Sequence, residues 1–502
     1  MSYQNLFQHL KTLSQSDRTA LIIDHPVEPR SMTYQELWVL LGRYQQTLKE
    51  DGLVAGDVLL ALLPNSSEML LLFLASMTMG LHLSPLPCET TPHEFERWRS
   101  LIKPKYCYVK ENIRTDLLAH IDTLHIPKKT IPVDHSFQWL SSKEFYSDQL
   151  SLSQLYLATS GTTGAPKAIV LNGEKLWKSA LHFSEIHDLS LNEKTCFWNY
   201  LPMSYLGGLF NLGLIPLSVS GSVVLGEPFS GKTFLNFWQT VQRYSINVLW
   251  FVPTIIRGLL EMVRRNSRLA VDLKKLGILK SFVGTAPLDL KTKEEFEHFF
   301  NTKLLENYGL SETTFISSEK QGADLRSEGS VGCVISHVDL RLMNKEKKGS
   351  EGEICVKTPF LFEGYLDSDQ SLNLPLDSQG YFHTGDFGCL DSHGNLVLTG
   401  RSRDFIKKGG QFIVLREIEV LATEYPFVVE AAAVKKEHAF YGEAFDLFVV
   451  AKDENIAGLE KFIHQKLARS KWPEKILSIS EMPKTASGKI QKHLLKERMF
   501  HE

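Results

Sequence analysis

The chain is poor in cysteine and lacks the cysteine spacings that organise small folds. Its 502 residues include six cysteines, and no two of them form a Cys-X-X-Cys pair. Closely paired cysteines are the usual signature of disulfide frameworks and of structural zinc sites. The sequence therefore predicts neither, and we expect a cytoplasmic protein.

The chain also lacks a long hydrophobic run and an excess of charge of one sign. Its most apolar stretch, residues 69–83, is interrupted by polar residues and is shorter than the roughly 20 apolar residues of a membrane span. We interpret it as a buried helix that runs into a strand. The N-terminus shows no secretory signal, and 55 basic against 58 acidic residues leave no basic surface for nucleic acid. We expect no membrane span and no nucleic-acid partner.

What is present is the composition of a folded protein, with 43% hydrophobic and 23% charged residues. Helical patterns alternate with short apolar runs in residues 1–145 and again in residues 150–320, as in βα units around a parallel sheet. Residues 330–400 have short strands, many turns and no long helix, which is typical of a small β-barrel. Residues 404–502 return to mixed helix and strand, so the predicted boundary lies near Arg403.

The strongest chemical signal is a segment rich in Ser, Thr and Gly that directly follows an apolar run. Its glycines let the backbone approach an anion, its hydroxyls can donate hydrogen bonds, and its lysine adds positive charge. Ala165 and Pro166 separate the second glycine from the lysine, so the segment is not a Walker A loop. A plain turn is the alternative, but the residue types favour a phosphate cradle. The candidate cradle residues are Thr159, Ser160, Gly161, Thr162, Thr163, Gly164 and Lys167.

A second signal is the carboxylate of Glu312 in residues 306–314. Taken alone, this segment could be a loop with a capping Ser followed by a Glu in the first helical turn. Beside a phosphate cradle, however, the carboxylate would be a natural Mg²⁺ ligand. The two interpretations cannot be separated on this segment alone.

Two later segments add polar groups of the kinds that bind nucleotides. Asp386 could accept two hydrogen bonds from a ribose diol, and Arg401 could engage ribose or phosphate oxygens. Lys489 lies in a turn near the C-terminus. Taken singly, these residues would be assigned to strand-end turns and to a solvated surface charge.

Together, in this order and at these distances, the four segments resemble the adenylate-forming (AMP-binding) family. That family includes acyl-CoA synthetases, carrier-domain adenylation enzymes and firefly-type luciferases. The resemblance covers roughly residues 15–500 and extends to segments 201–203, 252–254, 284–288, 329–332 and 351–354. It implies a two-step reaction, in which a carboxylic acid attacks the α-phosphate of ATP and a thiol then takes the acyl group. It implies ATP, Mg²⁺ and coenzyme A as cofactors.

The resemblance also implies the architecture, which is an α/β fold. Residues 1–402 would form a large N-terminal AMP-binding domain of two doubly wound α/β subdomains plus a small β-barrel at about 330–400. Residues 404–502 would form a small mobile α+β C-terminal domain. Its hinge would be Arg403, and its rotation would separate the two steps of the reaction.

The resemblance assigns roles residue by residue. Lys489 would bridge the carboxylate and the α-phosphate, and Glu312 would hold Mg²⁺. Ser160, Thr162, Thr163 and Lys167 would hold the β- and γ-phosphates, and Ser311 would contact the α-phosphate. Tyr308, followed by Gly309, would pack on adenine in a slot lined by Gly284, Thr285 and Ala286. Asp386 would bind the ribose hydroxyls, and Arg401 would support ribose or phosphate.

The acid and the acyl acceptor are less determined. Tyr205 stands where many relatives have His, and the walls formed by Tyr205, Gly208 and Phe251 suit an aryl or medium-chain acid. Gly409 and Gly410 would let a pantetheine arm pass, although a simple glycine turn explains the same residues. Coenzyme A is the expected acceptor. The alternatives are loading of an acyl carrier protein, and a non-catalytic nucleotide-binding protein.

Overall fold

The structure is a computed structural model of the full chain. It describes residues 4–24, 29–159, 167–186, 189–227, 229–285, 288–320, 327–343, 351–401, 405–408, 411–438, 442–451, 457–467, 469–485 and 490–498. Among these residues, no helix combines the length and the apolarity that a membrane crossing requires.

Thirteen α-helices lie within the described residues. They are α1 (Leu6–Thr12), α2 (Tyr34–Glu50), α3 (Ser67–Met79), α4 (Pro92–Ile102), α5 (Thr115–Thr123), α6 (Gly173–Glu185), α7 (Ile215–Ser218), α8 (Gly231–Arg243), α9 (Pro253–Arg265), α10 (Leu290–Phe300), α11 (Leu415–Thr423), α12 (Ala457–Lys466) and α13 (Lys492–Arg498). A π-helix, Gly207–Leu214, leads directly into α7.

Twenty-six strands and three short 3-10 helices, Leu150–Leu152, Ser267–Leu269 and Arg469–Lys471, also lie within the described residues. The first thirteen are β1 (Thr19–Ile23), β2 (Arg30–Thr33), β3 (Val58–Leu62), β4 (His82–Pro85), β5 (Tyr106–Lys110), β6 (Lys128–Ile131), β7 (Gln154–Thr159), β8 (Lys167–Asn172), β9 (Cys196–Asn199), β10 (Ser222–Leu225), β11 (Val248–Phe251), β12 (Lys280–Val283) and β13 (Leu304–Leu310). The others are β14 (Thr314–Ser318), β15 (Ser330–Val334), β16 (Asp339–Met343), β17 (Glu351–Lys357), β18 (Gly364–Leu366), β19 (Leu372–Asn373), β20 (Phe382–Leu390), β21 (Asn395–Arg401), β22 (Phe405–Lys408), β23 (Gln411–Val414), β24 (Val428–His438), β25 (Gly442–Ala451) and β26 (Ile476–Ser478).

The apolar stretch at residues 69–83 forms the predicted buried helix and strand, α3 and β4. The Ser66 hydroxyl accepts a hydrogen bond from the Met69 N–H at the start of α3, and Gly80 ends the helix at φ +73°. Every residue of α3 is buried, which explains why the stretch is apolar on all sides. The membrane-like composition is therefore that of a core helix.

Two large mixed sheets form the N-terminal part of the chain. The eight-stranded sheet has the order β19-β18-β8-β7-β4-β3-β5-β6 and is parallel from β7 to β6. The thirteen-stranded sheet has the order β16-β17-β20-β21-β15-β14-β13-β12-β11-β9-β10-β1-β2, and its stretch from β13 to β1 is parallel. One hydrophobic core includes Leu59 of the first sheet and Leu249 of the second.

The region predicted as a small β-barrel, residues 330–400, is antiparallel and is divided between the two sheets. Strands β15, β16, β17, β20 and β21 continue the second sheet beyond β14, whereas β18 and β19 form the edge of the first sheet beside β8. At the C-terminal end of the chain, a five-stranded sheet (β22 to β26) packs with α11 to α13 around cores of its own. The predicted α/β fold with a large and a small part is confirmed. The boundary near Arg403 stays a prediction, because that residue lies outside the described residues.

Candidate active site

The candidate site lies at the carboxyl ends of the neighbouring parallel strands β11, β12 and β13. Open parallel sheets bind ligands in the crevice at this edge. Phe251 ends β11 and is fully buried, while Gly284 directly follows β12. Tyr308 and Gly309 lie near the end of β13. Predicted site residues from three segments therefore meet at one sheet edge.

Two of the predicted glycines are required by close backbone packing. A Cβ atom on Gly309 would lie 1.8 Å from the carbonyl oxygen of Thr314, and the β13–β14 register shifts between Tyr308 and Gly309. A Cβ atom on Gly284 would lie 3.1 Å from the carbonyl oxygen of Asn307. A side chain at Gly309 would displace β14, and one at Gly284 would crowd β13. Glycine at these two positions therefore allows the backbone of neighbouring strands to pack closely at this edge.

Tyr308 and Asp386 are brought together although 78 residues separate them. The Tyr308 hydroxyl donates a hydrogen bond of 2.8 Å to Oδ2 of Asp386, and both residues are buried. The carboxylate therefore lies beside Tyr308 near the end of β13. The predicted adenine and ribose residues form one buried unit.

A β-bulge aims Asp386 toward Tyr308. On β20, His383 pairs with Cys355 of β17 and Phe387 pairs with Glu353, so residues 384–386 together oppose a single residue. Gly385 takes φ +71°, and the Thr384 hydroxyl donates to the Ile354 carbonyl oxygen at 2.8 Å. Bulges of this kind re-aim side chains next to active sites.

Arg401 pairs with Asp386 across the β20–β21 ladder. The backbone therefore places the two residues predicted to bind the ribose directly opposite each other on neighbouring strands. The side chain of Arg401 lies outside the described residues.

Glu312 lies in a turn between β13 and β14. The alternative interpretation, in which Glu312 lies in the first turn of a helix, is therefore wrong. Its Oε1 accepts a hydrogen bond of 2.8 Å from the Tyr365 hydroxyl, and its carbonyl oxygen accepts from the Phe362 N–H. Tyr365 lies on β18, where it pairs with Ile169 of β8. Burial and the Glu312 carboxylate raise the pKa of Tyr365, which keeps the phenol a hydrogen-bond donor.

The strand that carries Tyr365, β18, pairs with β8, and β8 begins at the end of the predicted phosphate cradle. Thr159 ends β7 and pairs with Lys167, which begins β8. The ends of the cradle segment are therefore fixed by a hairpin in the same sheet as β18. Ser311 is half-buried beside Glu312.

The predicted acid pocket is bordered by the π-helix, a helix type often found at functional sites. A Cβ atom on Gly208 would lie 2.4 Å from the carbonyl oxygen of Pro202. Tyr205 is half-buried just before the π-helix, and burial, with the nearby Glu89 and Glu94, raises the pKa of its phenol. The phenol therefore stays protonated and can donate a hydrogen bond.

Asn199, which the sequence analysis missed, supports this π-helix. Its buried side-chain amide donates to the carbonyl oxygens of Gly208 at 2.8 Å and Leu212 at 3.3 Å. The wider turns of a π-helix change which carbonyl oxygens accept hydrogen bonds within the helix. The Asn199 amide donates hydrogen bonds to two of these oxygens. No short motif marks Asn199, because its partners lie 9 and 13 residues away.

We expect Asn199→Leu to lower the melting temperature by a few degrees and to raise the KM for the acid. The substitution leaves two buried carbonyl oxygens without this donor, at a cost of about 1–3 kcal/mol each. Thermal denaturation and acid titration of the activity measure the two effects. Asn373→Leu, at an exposed position of β19, is the matched control and should change neither. Equal behaviour of the two variants would contradict the supporting role of Asn199.

A buried ion cluster beneath β13 was also missed. The Lys293 ammonium lies 3.1 Å from Oε2 of Glu306 and 2.7 Å from Oε2 of Glu319, and all three residues are buried. The Glu306 N–H also donates to Glu319. The cluster connects α10 to β13, the strand that carries Tyr308. Buried ion pairs are stable only when further hydrogen bonds compensate the loss of water around the charges.

Several predicted site residues lie outside the described residues. They are Ser160, Gly161, Thr162, Thr163, Gly164, Ala286, Arg403, Gly409, Gly410 and Lys489. The side chains of Thr159 and Lys167 are likewise not described. Thr285 is described and is exposed at φ +74°.

Comparison with known proteins matches two family models to the chain. The AMP-binding enzyme family matches residues 11–366, and the AMP-binding enzyme C-terminal domain matches residues 417–489. The first match alone spans more than half of the 502 residues. The predicted resemblance to adenylate-forming enzymes is confirmed.

Similar proteins cover nearly the whole chain. The oxalate–CoA ligase of Arabidopsis thaliana is 26% identical over 97% of this chain and 96% of its own length. The indoleacetate–CoA ligase of Aromatoleum aromaticum is 27% identical over 92% of each chain. The crystal structure of ATP-bound MatB from Rhodopseudomonas palustris superposes with a TM-score of 0.87 at 27% identity, over 98% of both chains.

Proposed function

We propose that this chain, which belongs to the AMP-binding enzyme family and is an acyl-CoA synthetase-like ligase, joins a carboxylic acid to coenzyme A. It uses ATP. In the first step, a carboxylate oxygen bonds to the α-phosphorus of ATP and pyrophosphate leaves. In the second, the thiol sulfur bonds to the acyl carbon, AMP leaves, and the thiol proton passes to solvent.

The observation that carries the proposal is the Tyr308–Asp386 hydrogen bond at the sheet edge where Gly284 and Gly309 lie. A nucleoside needs a flat space for its base next to a carboxylate that can accept from its ribose hydroxyls. Gly284 leaves the edge after β12 without a side chain, Gly309 lets β14 pack against β13, and Asp386 supplies the carboxylate. These residues fit adenosine, and by the family resemblance Tyr308 would pack on the base with Thr285 and Ala286 at its edge.

We place Mg²⁺ on Glu312, because a hard oxygen ligand near bound phosphates is what this ion prefers. When bound, Mg²⁺ would neutralise negative charge that develops on the phosphate oxygens. Tyr365 holds the Glu312 carboxylate through its 2.8 Å hydrogen bond and links it to the sheet that carries the cradle.

We expect Tyr365→Phe to raise the Mg²⁺ concentration needed for half-maximal activity by about 10-fold, since a hydrogen bond to a charged group contributes about 1.5–3 kcal/mol. The ring and its contact with Phe362 are retained. Magnesium titration of the initial rate measures the change. Tyr146→Phe removes the same kind of phenol–carboxylate hydrogen bond, to Glu144 at 2.7 Å, and is the matched control. An unchanged Mg²⁺ dependence in Tyr365→Phe would contradict the role of Tyr365.

The remaining assignments rest on the family resemblance. The β- and γ-phosphates are held by Ser160, Thr162, Thr163 and Lys167, in a cradle that also includes Thr159, Gly161 and Gly164. Ser311 contacts the α-phosphate, and Arg401 supports the ribose or a phosphate. Lys489 holds the acid carboxylate and the α-phosphate together, so that two like charges can approach. These groups bind and orient, and the bond changes occur between acid and nucleotide.

We assign the second step to a rotated C-terminal domain with its hinge at Arg403. Gly409 and Gly410 would then line the route of the pantetheine arm, because they lack side chains.

The relatives support coenzyme A as the acceptor, since those compared are CoA ligases by name. Neither of these two relatives is named for loading an acyl carrier protein. The cytoplasmic location stays a prediction.

By the family resemblance, the acid would lie beside Tyr205, Gly208 and Phe251. Phe251 is apolar and its ring packs in the core against Phe237 and Phe296, whereas the protonated Tyr205 phenol offers one hydrogen bond. This combination supports an aryl or medium-chain acid.

Pyrophosphate release with ATP and Mg²⁺ across a panel of carboxylic acids, with and without coenzyme A, tests the proposal. Acid-dependent release that rises when coenzyme A is added supports a CoA ligase and identifies the class of acid. Release that is indifferent to coenzyme A would contradict that acceptor and favour a carrier protein. Binding of ATP without acid-dependent release across the panel would favour the non-catalytic alternative.

A further inference from the structure

Three chemically distinct side chains converge on one face of the antiparallel region, beside the bulge that contains Asp386. Glu353 and Cys355 lie on β17, and His383 lies on β20. Nδ1 of His383 lies 2.9 Å from Oε2 of Glu353 and 3.4 Å from Sγ of Cys355. One ligand-type atom from each of the three residues lies within 4.8 Å of the others.

The strand geometry dictates this convergence. Residues two apart on a strand share a face, so Glu353 and Cys355 point to the same side of β17. Cys355 pairs directly with His383 across the ladder. The convergence therefore follows from the backbone pairing.

The second nitrogen of His383 faces another carboxylate. Its Nε2 lies 3.5 Å from Oδ2 of Asp377, and Oδ1 of Asp377 is fixed by the N–H groups of Gln379 and Tyr381 at 2.8 Å each. Metal-binding histidines commonly donate their other N–H to a carboxylate in this way, which fixes the tautomer and the ring. Here that arrangement would leave Nδ1 as the metal-binding nitrogen.

The nearby cations do not neutralise these carboxylates. Arg341 and Lys357 are directed over the Tyr381 ring, each 4.3 Å from its centroid, and Arg341 also donates to Gln379. Within the part of the chain that the structure describes, the ion pairs of Glu353 and of Asp377 are with His383. The two carboxylates thus share one histidine.

We propose that Glu353, Cys355 and His383 bind a divalent d-block cation such as Zn²⁺, with Asp377 as the positioning carboxylate. A tetrahedral zinc site with Zn–N, Zn–O and Zn–S bonds of about 2.0–2.3 Å separates its ligand atoms by about 3.3–3.6 Å. The Nδ1–Sγ distance of 3.4 Å lies in this range. The Nδ1–Oε2 distance of 2.9 Å is that of a hydrogen bond, which a bound ion would replace by moving the two atoms a few tenths of an ångström apart. The Cys355 thiol releases its proton to solvent on binding. A water molecule completes the four-coordinate shell.

The site has an entry path and a structural consequence. The side chains of His383 and Glu353 are 36% and 22% exposed, whereas Cys355 is buried. A bound ion would join β17 and β20 immediately before the bulge that aims Asp386. The sequence gives no metal-site spacing, because the ligands come from two strands 28 residues apart.

Cobalt binding to the full chain, freed of metal by chelation and assayed without ATP, acid or coenzyme A, tests the proposal. We expect one equivalent of Co²⁺ to produce thiolate-to-cobalt charge-transfer absorption, and Zn²⁺ to displace it. Cys355→Ser should abolish this absorption, while Cys389→Ser, on the same strand as His383, should retain it. Asp377→Asn should weaken Co²⁺ binding about 10-fold.

His383→Gln and Glu353→Gln, at partly exposed positions, carry the test if Cys355→Ser does not fold; each should weaken Co²⁺ binding at least about 10-fold. Absence of thiolate absorption in the wild-type chain would overturn the proposal. So would equal absorption in wild type and a folded Cys355→Ser. Because no substrate is present, neither result depends on the ligase activity.

Discussion

Lys489→Ala is expected to lower acid-dependent pyrophosphate release by about 10²- to 10³-fold, while thioester formation from a supplied acyl-adenylate and coenzyme A persists. The first step brings an acid carboxylate against a phosphate, and one cation between them offsets the repulsion. Loss of a single group that stabilises developing charge lowers the rate of a reaction by about 10²- to 10³-fold. In the second step, no carboxylate has to approach the phosphate, so the lysine is not needed.

Lys484→Ala is the matched control, because it removes a lysine from the same C-terminal segment. The Lys484 ammonium lies 2.8 Å from a carboxylate oxygen of Glu430, and the residue forms an isolated bridge with Ile490. It should leave both half-reactions close to the wild-type rate. Equal loss of both half-reactions in Lys489→Ala would contradict the separation of the two steps by domain rotation.

Asp386→Ala is expected to raise the KM for ATP by at least about 100-fold. Hydrogen bonds from the ribose hydroxyls to a carboxylate contribute about 1.5–3 kcal/mol each, and about 1.4 kcal/mol corresponds to a factor of ten. The residue is buried, so its carboxylate is screened little by solvent. The ATP dependence of the initial rate at saturating acid measures the change.

Two further variants separate ribose binding from folding. Tyr308→Phe keeps the carboxylate and loses the 2.8 Å hydrogen bond that positions it, so the KM for ATP should rise only a few-fold. Asp391→Ala, in the turn between β20 and β21, should leave the KM for ATP unchanged. A folded Asp386→Ala enzyme with wild-type ATP dependence would remove Asp386 from the nucleotide site.

The sequence predicted the fold well wherever local patterns and tertiary burial agree. The apolar residues 69–83 predicted a core helix and strand, and Ser66 and Gly80 mark the ends of that helix. The run at residues 248–252 predicted a buried strand, which forms β11. In each case the burial pattern of a single segment determines its structure.

The site was predicted as a set of motifs, but its internal contacts were not. Tyr308 and Asp386 were both predicted, yet their hydrogen bond depends on a bulge in β20 and on pairing between strands far apart in the chain. Tyr365 and Asn199 were missed because each acts on a residue that no local pattern connects to it. The Cys355–His383 pair was missed for the same reason.

Acid-dependent exchange of labelled pyrophosphate into ATP, measured without coenzyme A, tests the central claim most directly. An enzyme that forms an acyl-adenylate reverses its first step before any thiol is present. We therefore predict exchange that requires the acid, ATP and Mg²⁺, is lost in Lys489→Ala and persists in Lys484→Ala. Exchange that occurs only when coenzyme A is added would contradict an acyl-adenylate formed in a separate first step.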